Sequence, residues 1–516
     1  MQKCMDQIRQ WEMMMKRMLF AFVIGASLVT PALAQTSVTT DAGTVAGTVA
    51  GTEDAQVISF KGIPYAAPPV GPLRWKAPER APSWNGVREA KAYGNACPQP
   101  VRTEAWAQVG AQSEDCLFLN VWRPKKPGKY PVMVFLHGGG FVFGAAGVPL
   151  YEGSGLAARG AVVVTMNYRL GRLGYFAHPA LTREDPDGKL GNFGVMDQIA
   201  SLEWVKRNIA RFGGDPGNVM IFGESAGAGA VQILMGSPAA TGLFHKAASQ
   251  SGSGSTVLAP IRGGAINAEM LGQKFTEELG LKDPTAEQLR AIPVAEIIKA
   301  RAFPFIDGKV VTMSPGEAFY KNKQMRIPLI IGSNSNESSL GGMTEATAKM
   351  VLGSAFPELH AGYVALTGKA PDAAAVDLAE GLGFVLPSIA VADQHAATGN
   401  KAFAYFFDQV PVDQRATAAG TDHGGELEYL FGNKAAEHRW DAEDLKVSKQ
   451  MGDYWVRFAT TGDPNGKGAV RWPAVTTPPT NYLVISAKPH AARLAPVEEK
   501  AKAAAMAAAI KTWAAP

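Results

Sequence analysis

A serine between glycines carries the strongest chemical signal in the chain, in the motif Gly-Glu-Ser-Ala-Gly at 223–227. The apolar run 219–222 before it predicts a buried strand, and the small residues after it begin a predicted helix. A serine on such a sharp strand-to-helix turn is typical of a nucleophile, because the helix amino terminus directs N–H groups at the reacting oxygen. The motif therefore predicts nucleophilic catalysis by Ser225.

A run of three glycines at 138–140 supplies a second element of the same chemistry, directly after His137 and the predicted strand 132–136. Consecutive glycines let the backbone approach a substrate and point N–H groups at it, as the tetrahedral oxyanion of ester hydrolysis requires. We expect the N–H groups of Gly139, Gly140 and Ala226 to form this oxyanion hole. His137 lies beside the hole, so we expect it to orient the loop instead of acting as the base.

A serine nucleophile also needs a base and an acid that orients the base. His423 lies in a turn-rich segment after the predicted strand 402–407, and Glu337 lies on a loop after the predicted strand 329–331. The resulting order, serine then acid then histidine, is that of α/β-hydrolases. Asp422 is the alternative acid, although a residue adjacent to the histidine rarely reaches its Nδ1. These elements all follow the carboxyl ends of predicted strands, where open parallel sheets place their sites.

Two further polar residues adjoin the predicted triad of Ser225, Glu337 and His423. Glu224 is either a buried, hydrogen-bonded support, which we favour, or a second base. Ser251 either hydrogen-bonds near Glu337 or caps a turn.

The elements that must position these residues follow from a series of short apolar runs with helical patterns between them, for example at 196–209. This succession predicts an α/β fold with a mostly parallel central sheet and helices on both faces. The segment 266–302 is predicted to be a helical insertion over the site, and 497–515 a terminal helix. The Thr-Val-Ala repeat within 43–52 predicts an edge hairpin. No linker interrupts residues 36–493, so we expect one domain over 35–516.

The first 34 residues have the pattern of a secretory signal peptide. Lys16 and Arg17 precede an apolar run at 18–29 that is too short for a membrane span, and Thr-Pro-Ala-Leu-Ala follows at 30–34. We expect cleavage after Ala34 and a periplasmic or secreted protein with no stable membrane span. A retained amino-terminal anchor is the alternative.

Cysteine usage agrees with export. Of three cysteines, Cys4 falls in the predicted signal peptide, which leaves Cys97 and Cys116. A disulfide between them would contribute about 3 kcal/mol in the chain-entropy model; two buried free thiols are the alternative. Two thiols without a nearby histidine pair do not make a metal site, and we expect no metal and no organic cofactor. A net charge of +4 is too small to suggest a nucleic-acid partner.

In combination these motifs resemble the type-B carboxylesterase family, which also contains cholinesterases and bacterial p-nitrobenzyl esterases. Phe-Lys-Gly-Ile-Pro-Tyr-Ala at 60–66 and Glu-Asp-Cys-Leu-Phe-Leu-Asn at 114–120 are similar to family signatures. The resemblance implies an α/β-hydrolase fold, the triad and oxyanion hole given above, and a first disulfide partner at Cys97. Asn336 departs from the family pattern, in which an aspartate is common before the triad glutamate.

The sequence therefore predicts a serine hydrolase that cleaves a small-molecule carboxylic ester through an acyl-enzyme, as a monomer or homodimer. We expect activity to fall below about pH 6.5 as His423 is protonated. A non-catalytic, cholinesterase-like binding module is one alternative. The other is the same machinery specialised for an amide, a lactone or a bulky toxin ester.

Overall fold

The structure, a computed structural model, describes residues 36–50, 56–102, 108–187, 190–476 and 480–513. The predicted signal peptide lies outside the described residues. Fourteen strands occur in the described part of the chain: β1 (Ser37–Thr39), β2 (Thr44–Ala46), β3 (Thr48–Ala50), β4 (Val57–Pro64), β5 (Val87–Glu89), β6 (Phe118–Pro124), β7 (Tyr130–Leu136), β8 (Val162–Met166), β9 (Gly214–Glu224), β10 (Lys246–Gln250), β11 (Leu329–Asn334), β12 (Ala402–Phe407), β13 (Asn481–Ile485) and β14 (His490–Arg493).

Eleven of these strands form one sheet in the order β14-β13-β12-β11-β10-β9-β7-β8-β6-β4-β3. The seven strands from β13 to β8 run parallel, and antiparallel strands complete both edges. This mostly parallel sheet confirms the fold class that the sequence predicts. The strands β1, β2 and β5 form a separate small sheet.

The central strands β7 and β8 are almost entirely apolar because both faces of the sheet are covered there. On β7, Val132, Val134 and Leu136 pack into the core on one face, and Met133 and Phe135 pack into the core on the other. All five side chains are fully buried. The apolar run of β7 is therefore continuous because this strand lies inside the sheet, between β9 and β8, with both faces buried.

Helices cover both faces. The helices in the described residues are α1 (Ser154–Ala158), α2 (Gly171–Gly174), α3 (Pro179–Thr182), α4 (Phe193–Asn208), α5 (Ala226–Gly236), α6 (Ala268–Glu278), α7 (Ala286–Arg290), α8 (Val294–Ile297), α9 (Pro315–Tyr320), α10 (Glu345–Leu352), α11 (Phe356–Thr367), α12 (Pro371–Glu380), α13 (Leu386–Ala397), α14 (Glu426–Phe431), α15 (Ala442–Thr461) and α16 (Pro496–Trp513). Residues of α4 and α5 enter the core on one face, and residues of α14 and α15 enter the core on the other.

A separate apolar cluster joins the helices α10 to α13 with the terminal helix α16. It includes Leu352, Leu359, Leu378 and Ala501. Only about half of the predicted helical insertion 266–302 is helical, in α6, α7 and α8, which pack against Trp75 and Phe176 in another small cluster.

The predicted edge hairpin within 43–52 is wrong. Its first half, β2, pairs with β1 and β5, whereas its second half, β3, pairs with β4 in the large sheet. A single residue, Gly47, separates β2 from β3, and a hairpin needs a loop of about two residues or more. The repeat therefore divides between two sheets, and residues 51–55 lie outside the described part of the chain.

One helical stretch of the described residues, Pro371–Ala397, is long and apolar enough to cross a membrane. It consists of α12, a π-helical turn (Gly381–Val385) and α13. Two-thirds of its apolar window is buried inside the protein, which is the arrangement of a core helix.

Cys97 and Cys116 form a disulfide, so the prediction that they pair is confirmed. Both residues are buried, and the bond closes a loop with a sequence separation of 19. We call residues 97–116 the disulfide loop.

Candidate active site

Five neighbouring parallel strands deliver the polar groups of the site. Strand β7 leads into the glycine run, β9 into Ser225, β10 into Ser251 and β11 into Glu337, while the loop after β12 carries His423. Because the strands are parallel, all these loops leave the same edge of the sheet.

Ser225 lies on a strained turn between β9 and α5. Its φ of 55° and ψ of −124° belong to a region that residues other than glycine rarely adopt. The Ser225 N–H donates to the Gln250 carbonyl at 2.9 Å, which ties the turn to β10. A Cβ on Gly227 would lie 2.0 Å from the Leu136 carbonyl oxygen, so the motif needs glycine there to let α5 approach β7.

Glu337 is fully buried, and its carboxylate is held from several directions. Its Oε1 accepts from the Ser251 hydroxyl at 2.6 Å and from the Asn334 N–H at 2.8 Å. Its Oε2 contacts Nδ1 of His423 at hydrogen-bond distance. Ser251 therefore hydrogen-bonds Glu337 itself, one of the two roles that the sequence left open.

The loops that carry Glu337 and His423 are joined to each other. The His423 N–H donates to the Ser339 hydroxyl at 2.9 Å, and the Asn336 N–H donates to the Thr421 carbonyl at 2.9 Å. These bonds between the two loops fix the imidazole above the carboxylate.

Asp422, the alternative acid, faces away from the Nδ1 of His423. Its Oδ1 accepts from the Asn336 side-chain amide at 2.6 Å. An asparagine at 336 supplies the donor that this contact needs, which gives the departure from the family pattern a local role. Of the two candidate acids, the structure brings Glu337 to the imidazole.

Glu224 lies on the other side of the same imidazole. Its Oε1 is 3.1 Å from Nε2 of His423 but is not aligned for a hydrogen bond, and neither atom has another hydrogen-bond partner among the described residues. The structure thus places the carboxyl group of Glu224 facing His423 and does not show the hydrogen-bonded support that the sequence favoured.

Burial and neighbouring charges have opposite effects on the pKa values of His423 and Glu224. Burial disfavours the imidazolium of His423, but the Glu224 and Glu337 carboxylates outweigh it and raise the pKa of His423 above its usual value. Burial raises the pKa of Glu224, against the opposing effect of His423.

Sequence reasoning missed two carboxylates beside the site, of which one is fully buried and the other partly buried. Glu426 is fully buried in the first turn of α14, accepts from Asn334 Nδ2 at 2.5 Å and from Gln250 Nε2 at 3.0 Å, and has its pKa raised by burial. Its position three residues after His423 was the available signal. Glu380, at the end of α12, accepts the Glu337 N–H, and nothing in its local sequence indicates this.

The glycine run turns back on itself after β7. Gly139 and Gly140 have φ values of 102° and 60°, and the Gly139 carbonyl accepts from the N–H groups of Val142 and Phe143 at 3.0 and 3.1 Å. Within the described chain, the N–H groups of Gly139 and Gly140 have no backbone hydrogen-bond acceptor. Ala226 is the first residue of α5, so its N–H lies at the helix amino terminus.

His137 supports this turn from beneath. Its Nδ1 hydrogen-bonds the Gly138 carbonyl at 2.9 Å, and its ring stacks on Tyr168 with centroids 4.4 Å apart. Burial lowers the pKa of His137 to about 4, so the ring is neutral, and a carbonyl partner requires the proton on Nδ1.

The described residues contain no group of three or more His, Cys, Asp or Glu side chains arranged to hold a metal ion. Their site chemistry is carried by a serine, an imidazole and carboxylates.

The sheet, the strand-to-helix serine turn and the order of the loops define an α/β hydrolase. The model of the carboxylesterase family matches residues 34–356 and 363–508. The chain belongs to the carboxylesterase family and is a carboxylic-ester hydrolase.

The chain is similar to named relatives and to a solved structure over most of its length. It is 35% identical to fumonisin B1 esterase of Sphingopyxis macrogoltabida, with 88% of each chain covered. It is 34% identical to para-nitrobenzyl esterase of Bacillus subtilis, covering 85% of this chain and 93% of that one. A solved structure of PNB esterase matches with a TM-score of 0.78 and 33% identity, over 91% of this chain and 99% of that chain.

Proposed function

We propose that Ser225, His423 and Glu337 form the catalytic triad of this esterase. One observation carries the proposal: His423 and Glu337, 86 positions apart, meet through Nδ1 and the carboxylate, at the sheet edge where Ser225 lies on its strained turn. A carboxylate on Nδ1 leaves the lone pair of the neutral ring on Nε2.

In acylation, Nε2 of His423 accepts the proton of Ser225 as the hydroxyl oxygen bonds to the ester carbon. Glu337 stabilises the imidazolium, and the N–H groups of Gly139, Gly140 and Ala226 receive the oxyanion. Nε2 then gives its proton to the departing alkoxide, which leaves as the alcohol. Water deprotonated by His423 attacks the acyl-enzyme and releases the acid and Ser225.

Replacement of the nucleophile tests the triad directly. Ser225→Ala is expected to reduce hydrolysis of p-nitrophenyl acetate by a factor of about 10⁵ or more. A fluorophosphonate probe should label wild type at Ser225, as seen by peptide mass spectrometry. Ser154 lies on α1, outside the loops of the site, so the control variant Ser154→Ala should have full activity. Retained activity in Ser225→Ala, or labelling at another residue, would contradict the assignment.

A bulky ester is a second candidate substrate, because one similar protein is named for hydrolysis of fumonisin B1. The test measures kcat/KM for a series of p-nitrophenyl esters from acetate to palmitate. It also measures whether the protein consumes fumonisin B1. Preference for short p-nitrophenyl esters with no consumption of the toxin would favour a small-ester enzyme.

We further propose an exported, periplasmic or secreted protein that loses residues 1–34. The basic, apolar and small-residue segments of the amino terminus support this, as does the disulfide, since disulfides persist in oxidising compartments. Expression of the full chain in a Gram-negative host should give a soluble periplasmic protein that begins at Gln35. A membrane-bound protein with its amino-terminal residues intact would support the retained anchor instead.

A further inference from the structure

The glycine run at 138–140 is held in place by a residue of the disulfide loop. Gly144, which ends the turn after these glycines, forms two hydrogen bonds with one side chain, that of Gln99. Its N–H donates to Gln99 Oε1 at 2.8 Å, and its carbonyl accepts from Gln99 Nε2 at 2.9 Å. The carboxamide thus pairs with both polar groups of one residue.

Gln99 is itself fixed from several sides. It is 2% exposed, and its Nε2 also donates to the Cys97 carbonyl at 2.9 Å. Its backbone N–H donates to Gln112 Oε1 at 2.9 Å. Gln99 is therefore anchored beside the disulfide and across the base of the disulfide loop, which makes it a rigid support.

Gly144 transmits this support to the turn. With a φ of 111°, it lies so close to His137 that a Cβ would be 2.5 Å from Nδ1, and the same Nδ1 bonds the Gly138 carbonyl. Its preceding residue, Phe143, donates its N–H to the Gly139 carbonyl. A shift of Gly144 would therefore disturb both contacts that shape residues 138–143.

We propose that Gln99 is a positioning residue for the oxyanion hole, acting through Gly144 on the N–H groups of Gly139 and Gly140. The inference rests on the proposed function, in which those N–H groups receive the oxyanion. Two residues beyond Gly144, the Ala146 N–H donates to Asn167 Oδ1 at 2.7 Å. This second anchor keeps the following chain in place, so loss of the Gln99 contacts is confined to the turn.

The test replaces the carboxamide in two ways. Gln99→Met removes both bonds to Gly144, and Gln99→Glu keeps the shape but replaces the donor with an oxygen that faces the Gly144 and Cys97 carbonyls. We expect the acylation rate with p-nitrophenyl acetate to fall about 10- to 100-fold, less than the 10²–10³ typical for loss of an oxyanion donor. KM should change less than about two-fold, because the ground-state carbonyl carries little charge.

A second readout separates this role from a general structural one. The inhibition constant of an aryl trifluoromethyl ketone, whose serine adduct carries an oxyanion, should rise by the factor by which kcat/KM falls. Gln324→Met is the matched control, since Gln324 is also a buried glutamine but hydrogen-bonds His395, outside the site. It should leave the rate and the inhibition constant unchanged.

The outcomes are distinguishable. An unchanged acylation rate and inhibition constant in folded Gln99→Met overturns the inference, as does a rate loss without weaker ketone binding. If Gln99→Met does not fold, Gln99→Glu and the shorter Gln99→Asn carry the test with the same criteria. Full activity in Ser225→Ala would instead show that the proposed function has failed, whatever the Gln99 variants do.

Discussion

At His423, carboxylates lie on opposite sides of one imidazole ring. Glu337 contacts Nδ1, and Glu224 lies 3.1 Å from Nε2, the nitrogen that accepts the serine proton in the proposed mechanism. Both negative charges stabilise the protonated ring. The free base therefore appears at higher pH than in an isolated histidine, and the sequence-based expectation of about pH 6.5 has to move upward.

Removal of the charge on Glu224 should shift the pH dependence of catalysis. In wild type, kcat/KM should rise with pH through a midpoint above 6.5, because the raised pKa keeps His423 protonated below it. Glu224→Gln keeps the side-chain size but not the charge, so the midpoint should fall by about one unit or more. The measurement is kcat/KM for p-nitrophenyl acetate between pH 5 and 10.

A second glutamate–histidine pair, formed by a buried glutamate and a partly buried histidine, supplies the control. Glu428 lies 2.8 Å from His438 Nδ1, outside the site. Glu428→Gln should not change the midpoint of the pH dependence of kcat/KM. An unmoved midpoint in Glu224→Gln would mean that Glu224 does not act on His423 through its charge.

At the scale of elements, α5 can lie close to β7 because residue 227 is a glycine and has no side chain. Gly227→Ala would place a Cβ 2.0 Å from the Leu136 carbonyl oxygen, and backbone on both sides prevents easy adjustment. We expect the free energy of unfolding to fall by about 1–3 kcal/mol, as measured by urea denaturation, with a loss of esterase activity because the helix carries Ala226.

The same helix offers a matched comparison. A Cβ on Gly229 would meet only the ring edge of Phe141, at 3.6 Å. Gly229→Ala is therefore expected to raise the free energy of unfolding by up to about 1 kcal/mol, since alanine favours helix over glycine. Equal destabilisation by both substitutions would show that close packing against β7 is not the reason for glycine at 227.

Residue spacing in the sequence predicted the strands of the site but not every contact between loops. The runs at 132–136 and 402–407 are buried on both faces, and such strands are recognisable from composition alone. The repeat at 43–52 has two equal halves, so its local pattern could not show that Gly47 lies between two sheets. Likewise, Glu380 at the end of α12 accepts the N–H of Glu337, 43 positions away, and no local pattern in the sequence indicates such a contact.

An ion pair shows the same limit. Arg169 is fully buried on Asp197, with Nη2 2.8 Å from Oδ1. Which of many charges meet inside the protein depends on long-range packing, which the sequence pattern does not encode locally.

At the scale of the whole molecule, the disulfide restrains a loop that contacts the site. Removal of both cysteines by Cys97→Ala and Cys116→Ala should lower the free energy of unfolding by about 3 kcal/mol, because the unfolded chain regains the entropy of the closed loop. Urea denaturation with and without reductant is the measurement. Reduced wild type should match the double variant, and the double variant should not respond to reductant.

Retention of full stability in wild type whose thiols are shown to be reduced would contradict this prediction. It would mean that the hydrogen bonds at the base of the disulfide loop, such as that from the Gln99 N–H to Gln112, already hold the loop without the covalent bond.

The separate cluster formed by α10 to α13 and α16 has a practical consequence for enzyme engineering. It has its own apolar core and contacts the candidate site through Glu380, which accepts the Glu337 N–H, and through the π-helical turn, where the centroid of the Phe384 ring lies 5.2 Å from that of His423. Libraries that vary residues 343–384 but keep Glu380, which accepts the Glu337 N–H, can therefore alter which molecules are admitted while the reacting groups keep their scaffold. Selection for activity on new substrates would vary this region first and leave the residues of the parallel strands unchanged.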